Sequence, residues 1–85
     1  MDNSIKESIR EILLNIVEDD EKRGKILSCD NIDIVEDLNF DSLDIMIFVV
    51  KISEEFDIQI QDYEEFIENL YKLDSLSLWI DRKLQ

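Results

Sequence analysis

The 85-residue chain has no histidine, no proline, one cysteine and one glycine, and its basic residues number nine against twenty-two acidic ones. Each scarcity removes a class of function. Without histidine, zinc sites, Ser-His-Asp triads and Cys-His pairs are excluded. A lone cysteine, Cys29, makes no internal disulfide and identifies no oxidising compartment. A free loop thiol suits a reducing cytoplasm, which is the expected location. The longest apolar run, Ile45 to Val50, is six residues, far short of the ~20 that cross a bilayer. No basic segment followed by an apolar stretch opens the chain, so no signal peptide is expected. Cations are too few to meet a polyanion: a net charge of −13 repels nucleic-acid phosphate and anionic membrane surfaces alike. It favours a protein partner with a basic patch.

What remains is helical. Apolar residues make up 45% of the chain, enough for one small packed core, so residues 1–85 are read as a single monomeric domain. A first helix is expected near Ser4 to Glu18. Ser4 and Glu7 form a capping box, and Ile5, Ile9, Ile12, Leu13 and Ile16 share one helical face. The acids Glu18 to Glu21 suit a helix C-terminus badly, so the helix should stop there, and Gly24 reinforces the break. From Asp19 to Phe40 no periodicity is sustained. Ile26, Leu27, Ile32, Ile34, Val35 and Leu38 demand burial, so this reads as a packed connection with room for a short helical turn. Asp30 to Asp41 does not form a calcium loop: its sixth position is Val35, and its third and fifth are Ile32 and Ile34.

A second helix should run from Ser42 to Phe56. Asp41 and Asp44 stand at N-cap and N3, a carboxylate variant of the capping box. Ile45, Phe48, Val49, Ile52 and Phe56 fall on one side, facing the core. Leu43, Ile47 and Val50 fall opposite, where a surface helix is normally polar. Such i, i+4, i+7 anchors dock a helix into a groove, and the alternative is a helix buried nearly all round. Asp62 and Glu65 open a short third helix with Phe66, Ile67 and Leu70 inward. Asp74 or Ser75 caps a last helix that packs Leu76, Trp79, Ile80 and Leu84. The expected architecture is all-α: a four-helix bundle with a long first connection and a short third helix.

Ser42 is the residue with chemical promise. At the first position of a helix, its side chain can point outward beside free backbone N–H groups, where the dipole favours an anion such as a phosphate ester. It has no histidine or lysine base and lies between acids, so it is no activated nucleophile. A bundle this small has little room for a concave catalytic pocket, and no enzyme is expected.

The run Glu36-Asp37-Leu38-Asn39-Phe40-Asp41-Ser42-Leu43-Asp44, with Glu54-Glu55-Phe56-Asp57-Ile58-Gln59-Ile60 closing the helix, resembles the acyl carrier proteins. The likeness implies a bundle of the acyl-carrier type. It implies a 4′-phosphopantetheine arm on Ser42, attached by a phosphopantetheinyl transferase and holding acyl groups as thioesters. Glu36, Asp37, Asp41 and Asp44 would form the docking surface for basic patches on loading, condensing and acyl-transfer enzymes, with Leu43 meeting their apolar residues. The chain departs from many such carriers at Asn39, where they have glycine, and at Ile47, where they have glutamate. A short insertion falls around Asn69 to Leu73. Ile47 and Val50 extend the docking face, so a dedicated fatty-acid, polyketide or related pathway is expected. Two alternatives stay open: an aminoacyl or peptidyl carrier, and an unmodified acidic helical adaptor.

Overall fold

Capping chemistry divides the chain into helices before packing assembles them. The computed structural model describes residues 3–85. Helix α1 spans Asn3–Ile16, α2 Asp20–Ser28, α3 Ile34–Asp37, α4 Ser42–Phe56, α5 Tyr63–Glu68 and α6 Leu73–Leu84, with a 3-10 turn at Asn69–Tyr71 between the last two. No strand occurs among the described residues. The fold is the expected all-α bundle, and the four helices read from periodicity are α1, α4, α5 and α6.

The connection from Asp19 to Phe40 differs from expectation, because most of its first half is a helix. Asp19 accepts a hydrogen bond from the Lys22 N–H at 3.0 Å and places Asp20 and Glu21 in the first turn of α2. Acids that fit badly at a helix C-terminus are favourable at an N-terminus. Gly24 therefore lies inside α2 and does not break it, and a Cβ there would meet open space. Only Ile26 of α2 is buried, and Leu27 is 69% exposed, against the burial expected of it. Arg23 fastens α2 to α1 by donating to the Leu14 carbonyl and, at 3.0 Å, to the Val17 carbonyl. The connection, read as having room for a short helical turn, also contains α3, with Asp33 accepting from the Glu36 N–H at 2.9 Å.

Three smaller expectations are corrected. Asn3 is already helical, so Ser4 sits within the first turn and not at a cap. Helix α6 begins at Leu73 without a cap from Asp74 or Ser75. Instead the Asp74 N–H donates to Asn31 Oδ1 at 2.9 Å and the Leu73 N–H to the Ile32 carbonyl at 3.0 Å. The long connection thus caps the last helix across the fold, and Lys6 of α1 adds an ion pair with Asp74. Leu84 is exposed, because α6 runs past the core there.

Helix α1 packs against α4, α6 and α2. Ile9, Leu13, Phe48, Ile52, Leu76 and Ile80 are buried where these helices meet. Four rings run through the core as a row: Phe40–Phe48, Phe48–Phe66 and Phe66–Trp79, with centroids 6.0, 5.9 and 5.5 Å apart. The tilted and edge-on arrangements set the positive rim of one ring against the negative face of the next. Trp79 is a core residue, its indole N–H donating to Glu65 Oε1 at 2.8 Å. Glu65 is thereby drawn away from the capping box expected at α5, of which only the half from Asp62 to the Glu65 N–H forms, at 3.1 Å.

Candidate functional site

The segment before Ser42 is held by its own acids. The Asp37 carboxylate accepts from the Asp33 N–H at 3.0 Å, and the Phe40 N–H donates to the Val35 carbonyl at 3.1 Å. Leu38 and Phe40 are buried and anchor the segment from beneath. Between them Asn39 takes a left-handed conformation, φ 52°. Glycine reaches that region without steric cost and asparagine tolerates it better than most residues. Asn39 is thus compatible with this turn.

Asp41 then caps α4. Its carboxylate accepts from the Asp44 N–H at 2.9 Å, and the Asp44 carboxylate accepts from the Asp41 N–H at 3.1 Å, so the capping box expected here is complete. The hydrogen bond from the Asp44 backbone holds the Asp41 carboxyl below its usual range, against the opposing effect of desolvation. At the far end of α4, Asp57 (φ 52°) closes the helix, and the Ile58 N–H reaches the Ser53 carbonyl at 3.2 Å.

Ser42 is exposed at the first position of this fifteen-residue helix. The hydroxyl is accessible where the N-terminal turn concentrates partial positive charge. Glu36 and Asp41 are exposed, whereas Asp37 and Asp44 are half-buried and occupied by the backbone bonds just described. Helix α4 presents Leu43, Ile47 and Val50 at 65%, 40% and 54% exposure, so it is not buried all round. Its other face packs as expected through Phe48, Val49 and Ile52, with Ile45 and Phe56 partly buried.

Met46 is a fourth member of the strip that periodicity did not single out, and it is 67% exposed. With Ser42, Ile45, Val49 and Val50 it forms one side of an open apolar trough of about 290 Å³, and Tyr63 and Ile67 of α5 form the other. Met46 and Tyr63 are exposed, large, apolar-bodied residues on the two helices that flank the trough, but no local spacing joins them into one feature. A second hollow joins Ile16 and Val17 at the end of α1, Asp19 and Lys22 of α2, and Leu38, Phe40 and Asp44 around the serine segment. Helix α2 therefore borders the elements that present Ser42.

Cys29 is exposed and unpaired, and its carbonyl accepts from Arg10 at 3.4 Å. No cluster of three or more acidic or cysteine side chains that could hold a metal ion occurs among the described residues, and no described helix is long and apolar enough to cross a membrane. Comparison with protein-family models, with curated proteins and with solved structures returns no match.

Proposed function

We propose that this chain is an acyl carrier, holding acyl intermediates as thioesters on a 4′-phosphopantetheine arm at Ser42. The observation that carries the reading is the exposed Ser42 hydroxyl at the capped start of α4, bordered by an apolar trough and an acidic segment. The residues fit the group. An outward hydroxyl at a helix N-terminus accommodates a phosphodiester, and an ordered cap presents it in one orientation. Asp41 and Asp44 contribute little to holding the phosphate, because their carboxylates repel it. Their use is order and steering: they fix the turn, and their charge attracts a basic partner and raises the association rate.

In loading, the Ser42 oxygen forms a bond to phosphorus and the nucleotide half of coenzyme A departs. The partner transferase supplies the base that takes the serine proton and the magnesium ion that neutralises the phosphates. The chain itself performs no chemical step. The arm, if bound at Ser42, would supply a thiol for carrying acyl groups as thioesters, and docking of the chain would raise its effective concentration at a partner enzyme. Exposed Leu43, Met46, Ile47 and Val50 give partner enzymes an apolar contact in addition to the acids, which suits a dedicated fatty-acid, polyketide or related pathway.

Incubation with coenzyme A, magnesium and a broad-specificity phosphopantetheinyl transferase tests the reading by intact mass. One phosphopantetheine should be gained, and Ser42→Ala should gain none. An unchanged mass in the wild-type chain refutes the carrier and leaves the acidic adaptor, which would use the same exposed strip of α4.

A further inference from the structure

The hollow between α2 and the serine segment has a lining of two kinds. Ile16, Val17, Leu38 and Phe40 give it apolar walls, and Glu18, Asp19 and Asp44 bring three carboxylates. Each carboxylate has an oxygen to spare. Asp19 and Asp44 each accept one backbone N–H through Oδ2, which leaves Oδ1, and Glu18 is exposed and accepts none among the described residues. The three do not form a group that could hold a metal ion. Lys22, the one cation of the lining, is half-buried and makes no ion pair among the described residues. At about 220 Å³ the hollow has room for a side chain, since ~150 Å³ admits benzene.

We propose that this hollow is a socket for an arginine side chain of a partner protein. Arginine joins an apolar stem to a planar cation with a fork of donors, so the stem meets the apolar walls while the fork reaches carboxylates that stand apart. A lysine ammonium is a single point of charge and holds its water more tightly. Three carboxylates against one ammonium leave the lining at a net −2, which favours a cationic guest and disfavours an acidic one. Arginines seated in pockets are among the contacts that dominate protein interfaces. Leu38 and Phe40 belong to the segment that leads into Ser42, so an arginine held here fixes its owner beside the hydroxyl. The contact is separate from the exposed strip of α4, because Leu43, Ile47 and Val50 line no part of the hollow. It rests on the carrier reading only for which enzyme brings the arginine.

N-butylguanidinium, titrated into the unmodified chain and followed by amide NMR shifts, tests the socket without any partner. The amides of Val17, Asp19, Phe40 and Asp44 should shift together and saturate. N-butylammonium and the uncharged N-butylurea should both bind more weakly. Glu18→Gln should weaken binding of N-butylguanidinium about threefold, whereas Lys22→Met, which removes the resident cation, should tighten it about threefold. Neither substitution disturbs a cap, since the Lys22 bond to Asp19 comes from the backbone N–H. Shifts that scatter over the acidic surface without saturating, equal binding by either control, or an affinity indifferent to either variant overturns the proposal. The titration and the mass test on Ser42 fail separately. A chain that saturates with the probe but gains no phosphopantetheine keeps the socket and loses the carrier, and the reverse result keeps the carrier and loses the socket.

Discussion

Replacing Arg23 by methionine tests whether α2 is a structural strut of the serine segment or a dispensable decoration of the connection. The guanidinium donates to two carbonyls at the end of α1, those of Leu14 and Val17. Leu14 lies in the last turn of α1 and Val17 just past its end, where intrahelical donors run out, and the cation also meets the negative end of the dipole. Hydrogen bonds to a charged group contribute about 1.5–3 kcal/mol each when well desolvated. Arg23 is half-buried, so water recovers part of that on replacement, and a net loss of about 2 kcal/mol is expected for the two bonds together. In a domain of this size the thermal midpoint should fall by about 8–16 °C. Arg23→Met keeps the apolar stem, which separates the lost bonds from lost packing. Hydrogen exchange should accelerate first in α2 and then in the Leu38–Phe40 segment that shares its hollow. A midpoint within 2 °C of wild type (about 0.3–0.5 kcal/mol), with unchanged exchange in both segments, refutes the reasoning.

If the chain is a carrier, Ile47→Glu should slow acyl transfer to its partner enzymes about fivefold. The side chain is 40% exposed, so a partner can cover that share of the roughly 1.5–3 kcal/mol carried by a fully buried isoleucine, or about 1 kcal/mol. Stability should stay within ~0.5 kcal/mol, which thermal unfolding checks. At Asn39 (φ 52°), glycine should be tolerated without loss, whereas valine should cost about 1–2 kcal/mol by denaturant titration. Asp41 has its carboxyl depressed below 3.8. Its contribution to stability is therefore complete above 3.8 and disappears as the pH falls through the lower folded value. Exchange at the first turn of α4 should accelerate over that acidic window in the wild type, and Asp41→Asn should remove the Asp41 component of the change.

Helices whose stability comes from a broad buried face were legible, and those held by single polar contacts were not. In α1 and α4 the apolar residues recur at helical spacing because each helix packs along its length, and at α4 the caps sit within three residues of one another. Helix α2 buries one residue, Ile26, so there is no stripe to find, and its acidic N-terminus mimics the unfavourable end of the preceding helix. Its true anchor, Arg23 on two carbonyls at the end of α1, is a tertiary contact with no local signature. The cap on α6 comes from Asn31, forty-three positions away, beyond any local pattern. Glu65 was misread for a related reason: a tryptophan fourteen positions on competes successfully for its carboxylate. At the site itself, Ser42, its complete cap and the Leu43–Ile47–Val50 strip could be read from spacing. The trough could not, since it depends on how α5 lies against α4.

On the carrier reading, the carboxylates around Ser42 have two uses that one substitution can separate. Asp41 and Asp44 cap α4 through reciprocal bonds, and Asp37 closes the turn before it. A carboxylate accepting N–H bonds is favoured in its charged form, as the lowered Asp41 pKa illustrates. At Asp41 the bond that orders the turn thus also favours negative charge beside the hydroxyl. Asparagine caps a helix nearly as well as aspartate but carries no charge. Asp41→Asn should therefore leave α4 intact while slowing loading by a basic transferase at low salt. The difference from wild type should shrink as salt rises, because exposed charges are screened beyond ~10 Å at 0.1 M. If the variant loads at the wild-type rate in dilute buffer, steering is wrong and Asp41 serves the fold alone. If it loads slowly at every salt concentration and α4 frays by hydrogen exchange, the cap matters and the charge does not.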